Sequence, residues 1–218
     1  MAAEGLKLYS YWRSSAAYRA RIALNLKGLA YELVPVNIAH NGGQQHTDEF
    51  HGVNPQELIP VLVHGERLIR QSMAIIEYLD EKYPSPPLMP VGLEDRAFVR
   101  SIAQAIACDI HPINNLRVLQ YLSRTLAVEE PKRDEWYRHW VQEGFRAIES
   151  RLIARVTGPY CLGDTPTLAD ICLVPQVANA NRLAVDMAPY PRIGAINATC
   201  LAHPAFAAAH PDRQPDAE

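Results

Sequence analysis

Along the first third of the chain, apolar positions switch between two periods, and the switches mark the elements. Leu6 to Tyr11 is a short β-prone run. Ser14-Ser15 then opens a helical stretch in which Ala16, Ala20, Ala23 and Leu24 recur at helical spacing up to Lys27-Gly28. Gly28 is a helix stop, because glycine adopts the left-handed backbone that ends a helix without a Cβ clash. Tyr31 to Val36 reads as a second strand, and a strand-helix-strand run predicts two parallel strands. The polar stretch Asn41 to Asn54 follows, with Gly42-Gly43 and a weak helix inside it. Pro60 to His64 and Arg67 to Arg70 read as strands around a turn at Gly65-Glu66. Gln71-Ser72 opens a helix through Tyr83 whose apolar face is Ala74, Ile75, Tyr78 and Leu79. The order β-α-β-α-β-β-α predicts a thioredoxin-like α/β domain.

Pro84 to Pro90 contains four prolines, which end helices and stiffen linkers. The predicted division is therefore an α/β domain over 1–83, a Pro-rich linker over 84–91 and an all-α domain over 92–218. In the last of these, Leu93 to about Leu126 reads as one long helix with Phe98, Ile102, Ile106, Ile110 and Ile113 on a stripe. Glu135 to about Val156 carries Trp136, Trp140, Ile148 and Leu152. Thr167-Leu168-Ala169-Asp170 resembles a capping box at the start of a helix running to about Ala180. Short helices near Ile193 to Leu201 and Pro204 to Ala209 finish the domain. The polar, Pro-containing tail from His210 to Glu218 is expected on the surface.

Composition narrows the function classes. A chain of 218 residues with 48% hydrophobic and 21% charged positions can bury a full core. A net charge of −3 with scattered basic residues points to neither nucleic acid nor a membrane surface. No apolar run approaches the roughly 18 residues of a membrane span. Met1 to Leu6 lacks the apolar core of a signal peptide. Cys108, Cys161, Cys172 and Cys200 form no C-x-x-C pair, and no metal-ligand spacing joins them to the histidines. The expectation is a reducing, cytoplasmic setting, with no metal.

Two local patterns carry candidate chemistry. Ser14 and Ser15 sit at a helix start, beside unpaired N–H groups and the positive end of the helix dipole, an environment that holds an anion. The plainer reading of either serine is an N-cap. Ile59-Pro60 before a strand is a candidate cis peptide, and such a bend would offer the Ile59 backbone to a peptide-like ligand. Ser72, at the next helix start, would suit a carboxylate. Tyr9 and Tyr11 are read as strand residues. Trp136 and Trp140, four apart on a helix, read as core packing.

At these residues the chain resembles the zeta-class glutathione transferases, most of all the bacterial maleylacetoacetate isomerases. Tyr9-Ser10-Tyr11-Trp12-Arg13-Ser14-Ser15, Gly42-Gly43-Gln44-Gln45, Ile59-Pro60, Gln71-Ser72-Met73-Ala74-Ile75, His111-Pro112-Ile113-Asn114-Asn115 and Gly163-Asp164-Thr165-Pro166-Thr167-Leu168-Ala169-Asp170 carry the match. It extends over nearly the whole chain. One departure is clear: the family usually reads Ser-Ser-Cys-Ser, and here Ala16 and Ala17 take the last two places. The resemblance implies the glutathione-transferase fold, a homodimer, and glutathione as cofactor in the cis–trans isomerisation of maleylacetoacetate in tyrosine or aromatic catabolism. It implies that Ser14 and Ser15 ionise the glutathione sulfur and that Gln45 and the Ile59 backbone hold the tripeptide. Gln71 and Ser72 would take its γ-glutamyl end. His111 and Asn115, read as one helical turn apart, would border the site. For a dicarboxylate substrate the guanidinium fork is the natural partner, and Arg13, Arg182 and Arg117 are the candidates in that order. Maleylpyruvate, α-haloacids and a non-catalytic interaction role are the alternatives. Retention of Ser14, Ser15, Gln71 and Ser72 argues against the last.

Overall fold

The computed structural model describes residues 5–40 and 42–218. Residues 1–4, part of the segment read as leaderless, and Asn41, which opens the polar stretch, lie outside the described residues. The chain divides into two compact units. One runs to Leu88 and also takes in Ala202–Glu218; the other is Met89–Leu201.

In the first unit β1 (Leu6–Ser10), α1 (Ser15–Leu26), β2 (Glu32–Pro35), α2 (Asp48–Val53), β3 (Val61–His64), β4 (Arg67–Arg70) and α3 (Ser72–Lys82) follow the predicted order. The sheet order is β2-β1-β3-β4. β1 and β2 are parallel, whereas β3 is antiparallel to β1 and to β4. Alternation assigns the two faces. Leu8 and Leu62 pair and are fully buried, as are Ile22, Leu24, Ile75 and Leu79 of α1 and α3, which pack on each other. Tyr9 and Val61 belong to a second cluster with Val36 and Phe50. α1 ends as its sequence requires: Lys27 is the C-cap, Gly28 has φ 64°, and the Leu29 N–H reaches back to the Leu24 carbonyl at 3.0 Å.

The proline-rich stretch is held by a buried cation. Lys27 Nζ, with a fully buried side chain, donates to Asp80 Oδ1 at 2.6 Å and to the carbonyls of Tyr83 and Pro86 at 2.7 and 2.5 Å. A buried ammonium needs such partners, because it has given up its water.

The second unit is helical: α4 (Leu93–Gln104), α5 (His111–Ile113), α6 (Leu116–Arg124), α7 (Glu130–Ile153), α8 (Leu168–Arg182) and α9 (Pro191–Ala202, whose last residue belongs to the first unit). The long helix predicted over 93–126 is corrected here. Ala105–Ile110 is a π-helical segment, and the helix stops at Asn114 before restarting at α6. Asn115 takes an extended conformation and accepts the Arg117 N–H at 3.2 Å, so its side chain starts a new helix. Gly144 of α7 lets the π-helical segment come close, since a Cβ there would meet Ile110 Cδ1 at 2.2 Å. The capping box at Thr167–Asp170 is present, and Asp170 is fully buried. The buried Glu149 of α7 accepts the Arg192 and Ile193 N–H groups at the start of α9, at 2.7 and 2.9 Å. Among the described residues no helix is long and apolar enough to cross a membrane.

The expectation of one helical domain over 92–218 is likewise corrected. α10 (Pro204–Ala209) packs on α1, burying Ala205, Phe206 and Ala209. Asn25 Nδ2 donates to the Ala205 carbonyl at 3.0 Å, and Arg21 Nε to the Ala209 carbonyl at 3.1 Å. The tail expected at the surface is partly tied in: Gln214 is buried and donates to the carbonyls of Ala208 and His210 at 3.0 and 2.8 Å.

Candidate functional site

Strand direction gathers the candidate residues of the first unit. Both β1 and β4 are antiparallel to β3, so they run the same way, with Tyr9 opposite Val61 and Val61 opposite Arg70. Their C-terminal ends therefore lie at the edge where β3 begins. β2 ends at this edge too, Ser10 facing Pro35. The segments bearing Ser14-Ser15, Gln45, Ile59-Pro60 and Gln71-Ser72 all leave or enter the sheet there. A thioredoxin-like order places two helix N-termini, α1 and α3, at one sheet edge, and helix N-termini favour negative charge.

Ser14 is the N-cap of α1, with its Oγ accepting the Ala17 N–H at 3.2 Å. Ser15 is the buried first residue of the helix. Ala16, in place of the family cysteine, is half-buried at the second position. Gln45 lies in a single 3-10 turn, Gln44–His46, and is buried, with its Oε1 lacking a hydrogen-bond partner. Gly43, at φ 90°, is needed there, since a Cβ would come within 2.4 Å of the Gln45 amide. Ile59-Pro60 is a cis peptide, as its place between loop and strand predicts.

Gln71 holds φ 71°, in the left-handed region, at the N-cap of α3 without a side-chain cap. Its Nε2 donates to Gln56 Oε1 at 2.8 Å. A glutamine in that conformation costs on the order of 1 kcal/mol, and such strain concentrates at ligand sites. Ser72 follows, buried at the first position of α3. Arg19 Nη1, from α1, approaches its Oγ at 3.4 Å. The two helix starts are thus joined by a buried cation. A buried amide oxygen without a partner, two helix N-termini and a buried guanidinium at one edge fit an anionic, peptide-like ligand. Among the described residues no group of His, Cys, Asp and Glu could hold a metal ion.

Three residues without a local motif define the approach to α1. Arg21 is completely buried; its Nη1 donates to Ser10 Oγ at 3.0 Å and to the Tyr11 carbonyl at 3.3 Å, and its Nη2 to the Trp12 carbonyl at 3.0 Å. Burial lowers its pKa to about 10, so it remains a cation at neutral pH. Asp216 accepts the Trp12 N–H at 2.9 Å. Arg19 joins the helix starts. Sequence reading missed all three because arginine and aspartate are normally solvated. The available signal was two arginines inside an otherwise apolar helix. Arg13 is exposed, its guanidinium 5.6 Å from the centroid of the Trp12 ring. Tyr11 falls just after β1 rather than within it, and burial raises its phenol pKa, so the group stays protonated. Tyr9 packs edge-on against Phe50 at 5.9 Å.

In the second unit the predicted pairing of His111 and Asn115 survives, though not through one continuous helix. Asn115 Nδ2 and His111 Nε2 lie 3.5 Å apart across the break. Arg117, in the first turn of α6, and Arg182, in the last turn of α8, are exposed. Trp136 packs edge-on against Trp140 and donates its Nε1 to the Ile113 carbonyl at 3.0 Å.

Comparison with known proteins matches this architecture. A family model for the glutathione S-transferase N-terminal domain matches residues 8–87, and one for the C-terminal domain matches residues 133–196. The probable maleylacetoacetate isomerase of Vibrio cholerae is 54% identical over 97% of this chain and 98% of its own length. The holo structure of maleyl pyruvate isomerase, a bacterial zeta-class glutathione S-transferase, superposes with a TM-score of 0.94 at 46% identity, covering 97% of this chain and 100% of that one. The maleylacetoacetate isomerase of Methylobacterium extorquens AM1, with malonate and glutathione bound, gives a TM-score of 0.93 at 40% identity, over 97% of this chain and 99% of that one.

Proposed function

The chain belongs to the glutathione S-transferase family, in its zeta class, and from that membership we propose that it isomerises a short cis-unsaturated dicarboxylic keto acid, maleylacetoacetate to fumarylacetoacetate, with glutathione as cofactor. The observation that carries the reading at this site is the convergence of Ser14, Gln45, Ile59 and Gln71-Ser72 on one sheet edge. Glutathione, when bound, supplies a thiolate that adds reversibly to the double bond, so that the bond can rotate before the thiolate leaves.

The protein's part is to hold, orient and ionise. A free thiol of pKa about 8.5 is only about 3% ionised at neutral pH, and lowering it by about two units takes about 2.7 kcal/mol. Ser14 has one hydroxyl proton to donate, because its oxygen already accepts from the helix. The N-terminus of α1 adds a favourable dipole at the same place. Gln45, with its unpartnered buried oxygen, and the Ile59 main chain hold the tripeptide. Gln71 and Ser72, at the second helix start, take its α-amino-acid end. Arg13 is exposed beside Ser14 and offers a fork for a substrate carboxylate; Arg182 and Arg117 present the same chemistry on the second unit. His111 and Asn115 are retained as a coupled pair. With Ala16 in the cysteine's place, the reaction depends on the thiol of glutathione alone. A homodimer in the cytoplasm, serving tyrosine or aromatic catabolism, completes the reading.

Maleylpyruvate, one carbon unit shorter, is the second reading, favoured by the match to a maleyl pyruvate isomerase. Absorbance of maleylacetoacetate and of maleylpyruvate is followed with purified protein, with and without glutathione. Glutathione-dependent loss of one identifies the substrate. Turnover of neither, with glutathione still bound, moves the activity to conjugation or dehalogenation on the same fold.

A further inference from the structure

We propose that Asp216, in the C-terminal segment, is a positioning residue for the thiol-ionising loop, working with Arg21 to clamp the Tyr11–Trp12 peptide from both ends. The inference rests on the isomerase reading and adds to it a part of the chain distant in sequence from the site.

The loop between β1 and α1 is only Tyr11 to Ser14, so the placing of Ser14 follows from how the peptides of Tyr11 and Trp12 are oriented. The Trp12 side chain contributes ring contacts, edge-on to Tyr11 at 6.0 Å and 5.6 Å from the Arg13 guanidinium, and the main chain contributes charge-assisted hydrogen bonds. The Trp12 N–H donates to Asp216 Oδ2 at 2.9 Å, and the carbonyl of the same peptide unit, that of Tyr11, accepts from Arg21 Nη1 at 3.3 Å, while Arg21 Nη2 holds the next carbonyl, that of Trp12, at 3.0 Å. The peptide dipole is thus bracketed, with an anion at its donor end and a buried cation at its acceptor end, and both hydrogen bonds are charge-assisted. The same guanidinium holds the Ala209 carbonyl at 3.1 Å, so α10, the C-terminal segment and the serine loop form one assembly within the first unit. Asp216 incurs a cost in this place. Its Oδ1 is buried and has no partner, and an unsatisfied buried oxygen is destabilising unless the contact made by its other oxygen compensates. The charged and titratable groups around the loop are Arg21, Asp216, Arg13, Glu218 and the Tyr11 phenol. The Tyr18 ring, 5.3 Å from the guanidinium of Arg21, stacks edge-on with His210 at 6.1 Å.

Replacing Asp216 by Ala removes the acceptor and frees the Trp12 N–H, and the serine hydroxyl loses its aim. Asp216→Asn keeps an acceptor oxygen. The test titrates the ultraviolet thiolate absorbance of the glutathione complex against pH in the wild type and both variants. Melting temperature and steady-state rates are measured alongside. For Asp216→Ala the thiol pKa is expected to rise by about half to one unit. kcat should fall about two- to threefold at neutral pH, the loss of thiolate that such a rise brings, and recover at alkaline pH. Asp216→Asn should restore most of both, with melting temperatures of the three proteins close together. An unchanged titration in Asp216→Ala overturns the proposal, as does an equal loss in both variants or a loss that tracks melting temperature. A wild-type complex that titrates like free glutathione overturns this inference and the isomerase reading together. A wild type with a lowered thiol and an unaffected Ala variant overturns this inference alone.

Discussion

At Ser14 one oxygen serves the helix, and in the proposed function its proton serves the ligand. The Ala17 N–H occupies a lone pair at 3.2 Å, which directs the hydroxyl proton away from the helix. Ser14→Ala should cost about 1 kcal/mol of stability through the lost cap, and the glutathione thiol should titrate closer to its free value. Ser14→Thr keeps both cap and proton and should stay near wild type in melting temperature and thiolate fraction. Gln71 separates conformation from chemistry in a different way. At φ 71° a glycine is at ease, so Gln71→Gly should leave stability unchanged or raise it by up to about 1 kcal/mol. The same change deletes the amide, so the KM for glutathione should rise several-fold. A Gln71→Gly variant that binds glutathione like wild type would show that the strain serves something else.

At the scale of elements, the fully buried Asp170 is the hinge of α8. Its carboxylate accepts the N–H groups of Thr167 and Cys161, each at 2.8 Å, and the Thr167 hydroxyl at 2.8 Å. Asp170→Ala leaves three buried donors unmatched and should cost about 3 kcal/mol or more, measured by denaturant unfolding. Loss of less than 1 kcal/mol would mean the site relaxes or admits water.

These elements also mark what could be read in advance. The strands and helix starts of the first unit were legible because the apolar period changes there and because Ser, Gly and Pro punctuate the changes. The Thr167–Asp170 box and the Ile59-Pro60 bend were legible for the same reason: they are local. The break between α5 and α6 was hidden, since the apolar stripe from Phe98 to Ile113 runs through the π-helical segment without losing its face. The usable signal was Asn114-Asn115, whose side chains can replace helix hydrogen bonds. Arg21 and Asp216 were illegible because their partners lie far away in sequence. No periodicity in the tail reports that α10 returns to α1.

For the molecule as a whole, the cysteines report how tightly the fold closes over its polar groups. Cys108 is exposed, whereas Cys161, Cys172 and Cys200 are buried. Burial first, and then the negative charge of Asp170, push the Cys161 and Cys200 thiols above their usual value. The thiolate is the reactive form, so a thiol reagent at neutral pH should modify the native protein once, at Cys108, as read by intact mass. Modification of further cysteines at the same rate would indicate that the second unit opens readily.

The central claim is that glutathione is required but not consumed. The measurement is the number of maleylacetoacetate molecules isomerised per molecule of glutathione, with glutathione kept well below the substrate and its free thiol assayed at the end. Many turnovers per glutathione, the thiol recovered in full and fumarylacetoacetate as product, is the expected result. One turnover per glutathione, with the thiol lost to a conjugate, would contradict the isomerase account and make the protein a transferase.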